Sequence, residues 1–270
     1  EIKMSKLMQY VFILISAVQL LFAAAFFFQS PLAVNLWPFE GTTPLTYIFI
    51  ASIFAAAAAS TLWPVLSANF GALAGVGLDY LVILTPMSAY IFWLGLQSND
   101  SSKAIYGVIC ALGALFGLWL FFWSRHLQMD TSVPMPTLVR WSFVAFILAL
   151  LYTSTRLFLQ IPTIPWKMTP ELSIVVGCSF LGAATYFIYA LIRPSWANTA
   201  GQLFGFLAYD LVLIIPFLRT FPNVAPQFRT GLIIYIIVIV YSALLAIYYL
   251  FIKKQTRIWA RADVLAKVAE

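Results

Sequence analysis

The chain has 270 residues, 63% of them apolar and 9% charged, with a net charge of +6 and a mean hydropathy of +0.96. A soluble domain spends about a quarter of its residues on charge, so this supply cannot cover a water-facing surface, and disorder is excluded by the same numbers. Lipid must solvate most of the outside.

In chain order, eight apolar stretches reach spanning length: 7–28, 45–66, 72–96, 104–124, 138–159, 171–192, 199–218 and 230–252. A helix needs roughly 20 apolar residues to cross hydrocarbon, and it satisfies its backbone within one segment. A membrane β-barrel would alternate over segments of about ten residues, and these stretches do not. The fold class expected is all-α: a polytopic bundle of eight transmembrane helices over residues 1–252. The first span is longer than a signal peptide's apolar core and carries "FFF" where cleavage wants small residues, so it is expected to be retained.

Eight crossings put both ends on one side. Placing them in the cytoplasm gathers ten of the 15 basic residues there: Lys3, Lys6, Arg125, Arg140, Arg193, Lys253, Lys254, Arg257, Arg261 and Lys267. The positive-inside rule therefore predicts an inner or plasma membrane protein with cytoplasmic termini. The basic excess needs no nucleic acid partner, since a cytoplasmic membrane face accounts for it. The tail 253–270 has Ile258, Trp259, Ala262, Leu265 and Ala269 on roughly one side, the pattern of an interfacial helix; a frayed basic tail is the alternative.

The second half echoes the first. "FFQSP" at 27–31 recurs as "FLQIP" at 158–162, and each copy leads through a Trp/Pro pair to a Thr-Pro, Thr43-Pro44 and Thr169-Pro170. Gly71, Gly75 and Pro86 match Gly201, Gly205 and Pro216 at a constant offset, with "DYLV" at 79–82 facing "YDLV" at 209–212. These coincidences predict two four-helix repeats, 1–126 and 127–252. An even number of helices per unit makes the repeats parallel, with a pseudo-two-fold axis along the membrane normal. Gly-x-x-x-Gly pairs at 71/75, 113/117 and 201/205 predict close helix contacts. Pro86 and Pro216 are candidate helix kinks, each lacking an amide donor.

Asp79 and Asp210 stand inside spans, where an aspartate costs roughly 2.5–3.5 kcal/mol at the helix centre. A proton or cation relay, or a polar anchor for a substrate amine, would explain them, with Tyr80 and Tyr209 as companions. The structural alternative is a hydrogen bond to a facing helix that fixes packing. In the outer loops, Trp37 and Trp166 suit the headgroup belt and could also cap a central cavity. Arg156 can snorkel to the outer headgroups or pair with Glu40. Glu171 after Pro170, with Thr169 as cap, reads as ordinary helix-start chemistry.

Catalysis has little support. His126 is the single histidine and sits in a loop beside Arg125. No triad, metal cluster or nucleotide-binding motif can be assembled around it, and Cys110 and Cys178 read as apolar filler. A lipid-modifying enzyme is therefore the weakest proposal. The leading expectation is a small-molecule or ion permease with Asp79 and Asp210 as polar waypoints between the repeats. The alternative is a non-catalytic accessory subunit packed against other membrane subunits. Membrane lipids are the assured partners. Apolar helices hold pigments or lipids without any motif, so the sequence names no cofactor.

Overall fold

The computed structural model describes residues 4–258. It is an all-α bundle, and eight of its helices are long and apolar enough to span a membrane. They are α1 (Lys6–Phe27), α3 (Pro44–Leu66), α4 (Leu73–Ser98), α5 (Ser101–Ser124), α6 (Thr137–Phe158), α7 (Pro170–Ile192), α8 (Trp196–Thr220) and α9 (Pro226–Ile247). A short helix, α2 (Pro31–Leu36), lies in the loop between α1 and α3. A 3₁₀ turn, Phe70–Ala72, leads into α4, and a π-helical turn, Tyr248–Ile252, ends α9. Most of the expected interfacial tail falls on residues 259–270, outside the described range; residues 253–258 form turns.

Local chemistry sets these boundaries. Prolines open α2, α3, α7 and α9, where the missing amide is one the helix cannot use. Ser5, Asp100, Thr169 and Ser195 cap α1, α5, α7 and α8 through side-chain oxygens. At the far ends of α1 and α6 the chain takes the same exit. Gln29 and Gln160 adopt positive φ of 51° and 56°. The following amides, of Ser30 and Ile161, reach back to the carbonyls of Ala25 and Arg156.

The helices form two layers of four. One runs α1–α3–α8–α9 and the other α5–α4–α7–α6, each helix packed along its neighbour. Side chains join the layers in register. Phe12 of α1 stacks on Trp123 of α5, and Thr61 of α3 bonds Tyr80 of α4. Phe206 of α8 meets Phe187 of α7 edge-on, and Tyr241 of α9 bonds Ser142 of α6. The outside is lined with Leu, Ile, Phe and Trp, among them Leu14, Leu21, Leu112 and Ile237, as a lipid-facing surface requires.

Glycines set how closely the helices approach. A Cβ at Gly77 would lie 2.6 Å from the Phe121 amide and 2.7 Å from the Gly117 carbonyl, so α4 and α5 meet backbone to backbone. The α8–α9 seam is filled by Tyr209, Phe217 and Tyr235. Helices α4 and α8 continue through Pro86 and Pro216.

Candidate functional site

The centre of the bundle is the meeting of α3, α4, α7 and α8, and one side chain crosses it. The Tyr186 ring, from α7, fills the notch at Gly75 of α4, where a Cβ would lie 2.5 Å from it. Its hydroxyl reaches the α3–α8 seam beside Ser60 and Gly201, where a Cβ at Gly201 would be 3.4 Å away. Across the seam, Ser60 Oγ occupies the notch at Gly205, 2.1 Å from the position of a Cβ. Ser60 and Tyr186 both stand sixteen residues after the proline that opens their helix.

Polar groups gather around this crossing. Tyr80 Oη accepts from Gln19 Nε2 at 2.7 Å and shares a proton with Thr61 Oγ1 at 2.9 Å. Gln202 Nε2 donates to the Tyr186 carbonyl at 2.6 Å. Asp79 points along the α4–α7 seam, where a Cβ at Gly182 would lie 2.8 Å from its Oδ1. It is near enough to the Tyr80 and Tyr186 phenols to act on both electrostatically.

Several of these groups have unmet bonding capacity. Asp79 Oδ1, Gln202 Oε1 and Trp63 Nε1 at the crossing, and Gln19 Oε1 on the neighbouring α1, are enclosed and make no hydrogen bond to the protein. A buried polar atom left without a partner costs about 1–3 kcal/mol. Four such atoms are a large demand on a bundle that lacks a hydrophobic drive between its helices. Trp63 stands on the last turn of α3, and Asp79 and Gln202 on the first two turns of α4 and α8, whereas Gln19 lies past the midpoint of α1. The opposite half of the centre is packed with aromatic rings: Phe49 contacts Trp166, Phe180 and Tyr209, and Trp166 contacts Phe217.

The two aspartates do not share one environment. Asp210 is 1% exposed and faces α9, accepting from Ser242 Oγ at 2.6 Å through Oδ2, while Oδ1 is unpartnered. Its neighbour Tyr209 also bonds α9, hydroxyl to hydroxyl with Tyr235. Asp79 belongs to the central crossing, whereas Asp210 belongs to the α8–α9 seam.

The residues of the α1–α3 and α6–α7 loops divide as well. Trp166 is buried in the core against Phe49 and Phe217 instead of lying in a headgroup belt. The loop sequence shows a tryptophan near an interface; only the tertiary fold tucks it inward. Trp37 packs edge-on against Phe26 and Phe39. Thr42 Oγ1 donates to the Lys167 carbonyl, which ties the α1–α3 and α6–α7 loops together. Arg156 donates to Thr163 Oγ1 at 2.9 Å, the Tyr152 hydroxyl at 3.2 Å and the Pro162 carbonyl at 3.3 Å. It does not pair with Glu40, which is exposed; Lys103 and Asp100 form an ion pair at the start of α5. His126 accepts from Arg125 Nε in an exposed loop.

Sequence reasoning selected Asp79 and Tyr80 and missed Gln19, Ser60, Tyr186 and Gln202. The two glutamines carried a usable signal, being uncharged polar residues within oily runs. Ser60 and Tyr186 carried none, because both residue types are routine in spanning helices.

The geometry defines an integral membrane helical bundle with a polar crossing buried at its centre. No family model, curated protein or solved structure matches the chain.

Proposed function

We propose that the protein is a permease for a small solute or ion, with its path between two parallel four-helix repeats. The observation that carries this reading is the set of unpartnered polar atoms at the crossing of α3, α4, α7 and α8. Hydrocarbon supplies no partners, so polar capacity of this kind is kept for a passing or resident solute.

The repeat, 1–126 and 127–252, is supported at three levels. Neighbour pairs correspond: α1–α3 with α6–α7, α4–α5 with α8–α9, and α3–α8 with α7–α4. The left-handed residues closing α1 and α6 are the matched Gln29 and Gln160. The notches at Gly75 and Gly205 receive Tyr186 and Ser60, residues at one position of equivalent helices. Each layer thus holds two helices from each repeat, and the solute path lies where the layers and repeats cross. The ten basic residues on the side of the chain ends favour cytoplasmic termini.

Purified protein in proteoliposomes, loaded with a pH-sensitive dye and challenged with solute gradients, tests the function. Asp79→Asn should reduce flux at least about tenfold at normal protein levels, the effect of removing one transition-limiting polar contact. Undiminished flux in that variant would sink the role given to Asp79. An accessory subunit is the second reading, favoured by the tight glycine seams that close the α3–α8 and α4–α7 junctions. Native purification that yields partner chains at fixed stoichiometry, with no flux from the protein alone, would select it.

A further inference from the structure

At the end of the bundle that holds both ends of the described chain, a cavity of about 400 Å³ opens between the start of α6 and the chain that follows α9. We infer that this cavity binds the phosphate headgroup of an anionic lipid, with Lys253 as its counter-charge. Thr137 and Leu138 of α6 and the loop 133–136 form one wall; Tyr249, Lys253, Gln255 and Thr256 form the other. A change of helix pitch builds the second wall. The π-helical turn Tyr248–Ile252 closes with the Lys253 amide on the Tyr248 carbonyl at 2.9 Å. Beyond it the chain folds back. Thr256 Oγ1 donates to the Tyr249 carbonyl at 2.7 Å, and the Ile258 amide to the Leu250 carbonyl at 2.9 Å. Thr256 is only 3% exposed, so this return is packed in place. The first wall is held too: the Met135 amide donates to the Pro194 carbonyl at 2.9 Å and the Trp196 amide to the Val133 carbonyl at 2.8 Å.

Charge selects an anion. Lys253 is the charged residue of the lining, and no carboxylate stands there. Its ammonium lies 4.9 Å from the centroid of the Tyr249 ring, a contact that steadies the head without neutralising it. The exposed Thr137 hydroxyl and Gln255 amide add neutral donors. The start of α6 contributes the same sign, because Pro136 offers no side-chain acceptor and the first turn has no acid. Position selects a lipid as the source of the phosphate. The first turn of α6 and the last turn of α9 mark where hydrocarbon gives way to headgroups, and basic pockets at that level take anionic headgroups. Leu138 lines the cavity and is 53% exposed, and Trp141, three residues on along the same face, is 66% exposed. Acyl chains attached to a bound phosphate would cover that apolar margin, which a free phosphate would leave bare.

Thermal unfolding of the whole protein in neutral-detergent micelles tests this, with phosphatidylglycerol, phosphatidylcholine of the same acyl chains, or glycerol phosphate added at constant ionic strength. A saturable rise in midpoint is expected with phosphatidylglycerol, above the phosphatidylcholine value, and none with glycerol phosphate. Lys253→Gln should raise the half-saturating concentration of phosphatidylglycerol about tenfold, the scale of one lost hydrogen bond to a charge. Lys254→Gln, at an exposed position outside the lining, should leave it unchanged. Thr137→Glu suits a helix start but sets a negative charge on the wall, so it should keep the lipid-free midpoint and weaken the lipid at least as much. The site is overturned if phosphatidylglycerol does no more than phosphatidylcholine. It is overturned equally if Lys253→Gln and Lys254→Gln weaken binding alike, the mark of diffuse attraction to a basic end, or if glycerol phosphate gives the same rise, the mark of a soluble occupant. Should Lys253→Gln fail to fold, an unchanged half-saturating concentration in Thr137→Glu overturns it. None of these readouts involves flux, so the site stands or falls apart from the permease reading.

Discussion

Glycines that look alike in the sequence do different jobs. A methyl at Gly77 would strike the backbone of α5 at Phe121 and Gly117, atoms that cannot move without separating the helices. Gly77→Ala should therefore destabilise by about 2–3 kcal/mol, the upper range of overpacking. A methyl at Gly113 would meet only the tip of Leu84, at 2.6 Å, which can swing aside. Alanine also favours a helix over glycine by about 1 kcal/mol, so Gly113→Ala should be close to neutral. Unfolding midpoints of the two variants in the same micelle provide the comparison, and equal losses would show that the α4–α5 seam is not closed at Gly77. Gly113 and Gly117 make one Gly-x-x-x-Gly motif, yet only Gly117 faces a backbone.

At the scale of elements, the two Thr-Pro helix starts are equivalent in sequence but not in bonding. Thr169 Oγ1 accepts from the Leu172 amide at 3.2 Å, whereas Thr43 Oγ1 is buried without a partner. Thr169→Ala should cost about 1 kcal/mol as a lost cap. Thr43→Val removes an unsatisfied hydroxyl at nearly constant shape and should be neutral or stabilising in the same unfolding assay. The turn between α4 and α5 depends on Asp100, whose Oδ1 accepts from the Ser102 and Lys103 amides at 3.0 and 3.3 Å. The Lys103 amide, chiefly, holds the Asp100 carboxyl below its ordinary value of 3.8. Since the folded value is the lower one, the cap's contribution is complete above pH 3.8 and fades as pH falls through the folded value. Acidification should loosen amide protection at residues 102 and 103 relative to other loop amides, and Asp100→Ala should remove that response.

The whole molecule is interleaved: each layer draws two helices from the first half of the chain and two from the second. Neither half can bury its own seams, because α3 needs α8 and α4 needs α7. Expressed alone, residues 1–131 should be degraded or aggregate, and so should residues 132–270. Co-expressed, they should assemble into a bundle with the midpoint and flux of the intact chain, because the break at Thr131–Ser132 falls in an exposed loop. Stable accumulation of either half by itself would show that the inter-half seams are dispensable. Mutational signatures across the α3–α8 and α4–α7 seams should likewise be coupled, because Tyr186 and Ser60 meet at one crossing.

Composition and segment length alone determined that this is an eight-span helical membrane protein, because hydrocarbon leaves the backbone few alternatives. The span boundaries were legible to within a few residues, marked by Thr-Pro starts and by polar loops. Gln29 and Gln160, which the sequence paired, both take positive φ at a helix exit, and Gly75 and Gly205 each receive a side chain from another helix. What only the tertiary structure decided is which helices meet. Along an apolar helix every face looks alike to lipid, and the choice between neighbours rests on local fits such as Tyr186 in the Gly75 notch. For that reason the sequence could single out Asp79 and Asp210 by their cost but could not tell them apart. Packing gave Asp210 a serine on α9 and left Asp79 at the central crossing among oxygens that have no partner.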